Sequence, residues 1–374
     1  MAKLNDGESK TKILGAQNHV ETQEEEEVVL EAAIDTWKYV LGYVEMAAVK
    51  CAIELGISEA MENHGQPITL SELSTSLDCS PSSLHRIMRL LVHQKLFKET
   101  ISPEDQTKYY SLTPITRLLK NHDHSMAALV LLESSPVMLA PWHALSGRVR
   151  DEGRAAFEAT HGESLWDYNA KHPKHSKLVN DAMASNARIV LPVVLKGRAE
   201  VFEGIGTVVD VGGGNGSALQ TMIKAFPWIK GINFDLPHVV AAAPEIAGVE
   251  HVGGSMLEFV PKADAAFVMN VLHDWGDEEC ITILRKCREA VPKDKGKVIM
   301  VEAVIKEEKH EIDDEKEEKL KGLRLMMDMV MMAHTTTGKE RTQQEWEYVV
   351  TQAGFTKCIV KPIQAIPSII IAYP

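Results

Sequence analysis

Residues 208–216 read VVDVGGGNG, and no other stretch narrows the folds open to this chain so far. Val208, Val209 and Val211 favour an extended strand, the glycines demand a tight turn, and SALQTMIKAF after them has helical spacing. A strand, a glycine turn and a helix in that order let the backbone approach a nucleotide closely. The spacing does not select the nucleotide. A dinucleotide fingerprint requires a further glycine where Ser217 stands, and the Gly-Lys-Ser/Thr of a triphosphate loop is missing. Asp235 closes the next apolar run, GINFD, roughly 20 residues past the loop, where an acidic group accepts from both hydroxyls of a ribose. A tight βα turn with a capping aspartate is the alternative.

The surrounding pattern agrees with a nucleotide-binding α/β sheet. AAFVMN (265–270) and KVIMVEAVI (297–305) are further apolar runs, and helical segments such as EECITILRKCREAV alternate with them. Strands of that kind, buried on both faces, build a mainly parallel, Rossmann-like sheet covered by helices. QAGFTKCIVKPIQAIPSIIIAYP adds two closing strands, expected as an antiparallel hairpin at the sheet edge.

Upstream the rhythm differs. Residues 1–28 are polar, end in the acidic run Glu24 to Glu27, and are expected to be a disordered leader. Apolar positions from Val28 to Leu55 recur at helical spacing, predicting one long amphipathic helix stopped by Gly56. ITLSELSTSL (68–77), with a Thr69/Ser71 cap signal, and the Ser80-Pro81 start of SSLHRIMRLLVHQKLF give two shorter helices, and KYYSLTPITRLL a strand and a turn. This is winged-helix style, but residues 51–120 hold seven Lys/Arg against eight Asp/Glu, and the whole chain carries −13. A nucleic-acid binder needs excess cations, so the module is read as a packing or dimerisation unit. The expected domains are 29–125 for that module, 126–200 for a helical linker lining a substrate pocket, and 201–374 for the catalytic sheet. Lys306–Lys321 holds thirteen charges in sixteen positions and reads as a solvated loop leading into a helix. Five scattered cysteines without a Cys-x-x-Cys pair suit a reducing cytoplasm, and no run approaches the ~20 apolar residues of a membrane span.

VVDVGGGNG (208–216), FDLPHVV (234–240), HVGGSM (251–256), VLHDWGDEEC (271–280) and GKERTQQEWE (338–347), in that order, resemble the successive motifs of plant small-molecule O-methyltransferases that use S-adenosylmethionine. The resemblance runs from about residue 30 onward and is to the caffeic acid, alkaloid and flavonoid branch. It implies a homodimer with S-adenosylmethionine as methyl donor, no metal and a phenolic acceptor. Gly212 then sits against the methionine part of the cofactor, Asp235 holds the ribose, and His273 of His-Asp-Trp is the general base flanked by Glu302 and Glu340. A neutral imidazole, with a pKa near ~6.5, takes the proton of a phenol whose own pKa is near ~10, and the carboxylates orient it.

The resemblance is imperfect on the adenine side. Ser255 replaces the family's aspartate while Met256 matches, and Met269 stands where the family has a lysine. Two absent charged groups weaken cofactor binding unless they are mutually adapted. Met183 and Met331 match the family's acceptor-clamping methionines, and thioethers pack adaptably on ring faces; core filling is the plain alternative for both. Trp142, Phe157, Trp166, Asn270 and Asp274 are the other expected acceptor-lining residues. Asn270 replaces the tryptophan of caffeic-type enzymes, which points to a bulkier phenol, an alkaloid before a flavonoid. Two rivals stay open: a methyltransferase-like protein with weakened cofactor binding and another role, and a winged-helix regulator with a ligand-sensing α/β domain.

Overall fold

The computed structural model describes residues 26–120, 125–151, 155–306 and 314–374. It divides into two compact units that meet in sequence at Thr113 and Pro114, upstream of the expected boundary at 125. The expected leader lies outside the described residues as far as residue 25; its last three positions begin a helix over 26–40.

In the first unit the helix expected over 28–55 is broken. Leu41 leaves helical geometry (φ −104°, ψ 6°) and a second helix runs Gly42–Glu54, the break falling beside the glycine, a poor helix former. Gly56 stops that helix with φ +69°. Thr69 caps Leu70–Ser76 through a reciprocal capping box with Glu72, and Ser80 caps Pro81–His93. The sequence reading carried this helix on to Phe97. Lys95 instead turns the chain with φ +61°, and Phe97–Ile101 (β2) becomes a strand. It pairs with Lys108–Leu112 (β3), which also pairs with Ile68–Thr69 (β1). Ile57, Leu73, Leu84, Met88 and Leu91 fill the core of this unit.

The second unit is built on an eight-stranded sheet. Thr207–Val211 (β4), Lys230–Asp235 (β5), Val249–Gly253 (β6), Ala265–Met269 (β7) and Lys297–Ile305 (β8) run parallel, and the two-residue Arg341–Thr342 (β9) joins β8. Lys357–Pro362 (β10) and Pro367–Tyr373 (β11) form the expected antiparallel hairpin, and the order is β10-β11-β8-β7-β4-β5-β6. The hairpin is not merely an edge ornament, because β11 also pairs along β8 and sets Ser368 opposite Glu302. Val208, Val209, Phe267, Ile299 and Val301 are fully buried between the covering helices.

The helix Pro173–Gly197 is long and apolar enough by composition to cross a membrane, contrary to the sequence expectation. Its Leu191, Val194 and Leu195 are spent in the same core as Val201, Phe202 and Val208. Of the acidic run, residues 307–313 lie outside the described residues; Asp314 then caps a helix, Glu315–His334, so 315–321, expected as loop, are helical.

Candidate functional site

Strand order reverses around β4: the chain runs outward through β5 and β6, then returns to place β7 on the other side of β4. In an open parallel sheet, ligands bind in the crevice at the carboxyl ends of strands flanking such a switch. The residues after β4 and β7 are the glycine loop and the segment carrying His273. They touch: a Cβ on Gly212, which has φ +74°, would lie 2.7 Å from a Val271 methyl carbon.

The loop is a cradle that only glycine can form. A Cβ on Gly213 would lie 2.1 Å from Asn233 Oδ1 and 2.8 Å from Asp210 Oδ2. Asp235 accepts from the Gly214 N–H at 2.8 Å and the Leu236 N–H at 2.7 Å, so it holds the turn while each oxygen keeps a lone pair for a hydroxyl. Asp210 and Asn233 each keep a buried oxygen without a partner beneath the loop. Burial, reinforced by Asp235, pushes the Asp210 carboxyl up to about 7. Asn180, Met183, Gly212, Gly214, Met269 and Asn270 line the hollow above. These backbone donors, free carboxylate lone pairs and thioethers fit a nucleoside that carries a cationic sulfonium.

Met183 and Asn270, expected on the acceptor wall, line the hollow with the glycine loop. Asn270 holds φ +51°, a strained value outside glycine that persists only where the surroundings impose it. Met256 packs partly buried on the sheet core, and the Ser255 carbonyl starts a turn by accepting from Glu258 and Phe259. A larger open hollow of about 470 Å³ lies in the first unit beside Glu59 and Glu72; it holds no comparable constellation.

His273 lies in a short 3-10 turn, Leu272–Asp274, and is 6% exposed. Its Nδ1 donates to Glu340 Oε1 at 2.8 Å, leaving Nε2 outward with Asp274 Oδ1 at 3.8 Å. Glu302 Oε2 is 3.9 Å from Nδ1, too far for a hydrogen bond. Its Oε1 instead accepts the backbone N–H groups of Val271 at 3.0 Å and Leu272 at 2.9 Å, so Glu302 holds the turn as well as facing the ring. Burial lowers the imidazole pKa, but Asp274, Glu302 and Glu340 together outweigh it and raise it to about 10. Burial pushes Glu302 up to about 7 and Asp274 to about 6. The converging carboxylates thus favour the charged form of an imidazole that the sequence reading expected to be neutral.

His273, Glu302 and Glu340 bring ligand-type atoms within 4.8 Å of one another, a grouping hidden by their distance in sequence. Within the trio, His273 and Glu340 are joined at hydrogen-bond length, and Glu302 faces the ring without bonding it.

Sequence reading missed Arg341, although it stands beside Glu340 in the quoted motif. Its guanidinium is fully buried and grips Asp277 through Nε at 3.0 Å and Nη2 at 2.8 Å. It also donates to the carbonyls of Leu272 at 3.2 Å and Trp275 at 2.8 Å. The turn bearing His273 is thus held by its amides from Glu302 and by its carbonyls from Arg341. The Cys280 thiol donates to the same Leu272 carbonyl at 3.1 Å, and burial pushes it up to about 12, a structural thiol.

Of the expected aromatic residues, Trp166 borders this turn and the others gather around His334. Trp166 stacks on Trp275 at 6.4 Å and 8°, and Trp142 meets His334 edge-on at 5.7 Å. Phe157 is fully buried with Leu132, Met138 and Ala182, and Met331 is buried in the helix before His334.

Comparison with known proteins gives a consistent result. Residues 142–356 match the O-methyltransferase domain family and residues 37–121 the O-methyltransferase dimerisation domain family. The chain is similar to acetylserotonin O-methyltransferase of Arabidopsis thaliana, 49% identical over 91% of this chain and 92% of the relative. It is 42% identical to (R,S)-reticuline 7-O-methyltransferase of Papaver somniferum over 92% and 98% of the two chains. Flavonoid 4'-O-methyltransferase 4 of Mentha piperita is also 42% identical, over 94% and 99%. Among solved structures, the calicheamicin-biosynthesis methyltransferase CalO1 in its SAH-bound form superposes with a TM-score of 0.75 at 28% identity, over 92% and 98% of the two chains.

Proposed function

Because the chain belongs to the plant S-adenosylmethionine-dependent O-methyltransferases of small molecules, we propose that it methylates a phenolic hydroxyl of a nitrogen-bearing aromatic metabolite, with His273 as general base. The enzyme class and the class I methyltransferase fold, behind a helical dimerisation domain, are the premise; the acceptor and the residue roles are the proposal. The observation that carries it is the 2.8 Å bond from His273 Nδ1 to Glu340, which leaves Nε2 free of that bond on a turn whose Val271 packs against the glycine loop. The acetylserotonin and reticuline relatives support a nitrogen-bearing acceptor, and the Mentha relative makes a flavonoid the second reading.

Bound over the glycine loop, the cofactor supplies an electrophilic sulfonium methyl. The chain's own residues prepare the nucleophile. A phenol with a pKa near ~10 faces an imidazole raised to about 10, so proton transfer between them is close to balanced. Glu340 and Glu302 stabilise the imidazolium that results. Met183 and Met331 clamp the acceptor, Gly212 and Asp235 hold the cofactor, and no step needs a metal. Trp37, Ile34 and Val40 present an exposed apolar helical face, which we assign to a homodimer. Transfer of labelled methyl from S-adenosylmethionine to a panel of indolamines, benzylisoquinolines and flavones, in the presence of chelator and with the protein sedimenting as a dimer, tests this reading. No labelled product from any of them overturns it.

Because the base must be deprotonated, kcat/KM is expected to climb with pH above neutrality, toward a limb near the imidazole's value of about 10. Asp274 is the largest contributor raising that value, so Asp274→Asn should move the limb to lower pH. A limb that stays in place in the pH–rate profile of Asp274→Asn contradicts the assignment of His273.

A further inference from the structure

A second cluster of histidines stands apart from His273. His161, His175 and His334 surround Phe157 and Tyr168, with ring centroids 4.4 Å apart for Phe157–His161, 5.3 Å for Tyr168–His175 and 6.4 Å for Phe157–His334. Burial lowers the pKa of His175 and of His334, so each ring is neutral near pH 7 and carries a single N–H. In both rings that hydrogen is already spent. His334 Nε2 donates to the Met138 carbonyl at 2.9 Å, and His175 Nδ1 to Asn169 Oδ1 at 2.7 Å. The opposite nitrogens, His334 Nδ1 and His175 Nε2, are buried with no partner. His334 itself is 2% exposed. Two buried lone pairs without donors are costly to leave unmade, and only an O–H or N–H group can satisfy them.

These rings stand on the two helices that carry the expected acceptor methionines. His334 lies one helical turn after Met331 and meets Trp142 edge-on. His175 opens the helix Pro173–Gly197 that carries Met183. Gly338, four residues past His334, packs against the His273 carbonyl oxygen, where an added Cβ would lie 2.4 Å away. The loop after His334 is therefore in contact with the catalytic turn.

We infer that His175 and His334 form a second recognition point for the acceptor, taking a hydroxyl or N–H donor on the part of the molecule remote from the oxygen being methylated. This rests on the function proposed above. The acceptor class becomes an aromatic compound with at least two hydrogen-bond donors, one at each end. A remote methyl ether or an anionic conjugate offers only acceptors and is rejected. The enzyme accordingly precedes any reaction that caps the remote donor, such as a second O-methylation.

The test uses the full-length protein with S-adenosylhomocysteine bound and a matched pair of ligands: a dihydroxyflavone with one hydroxyl on each end, and its remote monomethyl ether. Calorimetric Kd values are measured alongside KM for methyl transfer. Wild type is expected to favour the dihydroxy compound by roughly ten- to a hundredfold. In His175→Phe and His334→Phe, which keep a ring in place, the preference should shrink while S-adenosylhomocysteine affinity and melting temperature show that the fold survives. His175→Phe, at the less buried ring, carries the test where His334→Phe does not fold. Methyl transfer without discrimination in wild type, or discrimination retained in His175→Phe, overturns this inference alone. Absence of methyl transfer to every phenol overturns the proposed function and this inference with it.

Discussion

Replacing His273 with alanine is expected to lower kcat by roughly 10²–10⁴-fold, the usual contribution of a positioned general base, while the Kd for S-adenosylmethionine stays at its wild-type value. The separation follows from geometry. The cofactor hollow is lined by the glycine loop, Met269 and Asn270, and His273 reaches the loop only through the backbone neighbour Val271. Stability should change too, with a defined sign. The folded imidazole is raised to about 10, above the ~6.5 of an unfolded histidine, so its stabilisation is fully present below pH ~6.5 and is lost as pH rises through the folded value. The difference in melting temperature between wild type and His273→Ala should therefore shrink between neutrality and pH 10. A variant that turns over phenols at the wild-type rate removes His273 from the mechanism.

Arg341→Met is expected to cost about 3 kcal/mol of unfolding free energy, the low end for breaking a buried ion pair. The low end applies because the partner Asp277 is 35% exposed and keeps Lys339 at 3.5 Å. The larger effect should be on turnover. Without the guanidinium the carbonyls of Leu272 and Trp275 lose their charged donor on both sides of His273, and the turn keeps Glu302, Glu340 and the weak Cys280 thiol. Activity should fall through kcat more than KM, and Arg341→Lys should rescue little, because one ammonium cannot replace a planar fork serving four bonds at once. Full rescue by lysine, read by denaturant unfolding and steady-state kinetics together, contradicts this.

The sheet was legible in the sequence because its signals are local. Valine-rich runs, the glycine turn at 212–216 and the Ser80-Pro81 cap each lie within a few residues of the element they specify. The strand Phe97–Ile101 was not legible, because the helical spacing before it continues past the point where Lys95 reverses the backbone. The broken helix at Leu41 was hidden for a related reason: apolar periodicity survives a single non-helical residue. At the site, motif resemblance located His273, Glu302 and Glu340, but residue identity could not show that Glu302 binds backbone amides and only Glu340 bonds the ring. The raised basicity of His273 escaped as well. It depends on three carboxylates converging in a buried volume, and each looks ordinary in sequence. Arg341 and the unpartnered nitrogens of His175 and His334 were invisible because burial and pairing are properties of the fold.

The partners of the catalytic turn are far away along the chain: Glu302 holds Val271 across 31 residues, and Glu340 holds His273 across 67. Closing loops of that length costs entropy that nearby contacts do not. The loop's own bond from Gly214 to Asp235 spans 21 residues, so of the two halves of the site it is the proton-accepting half that depends on the most distant parts of the chain.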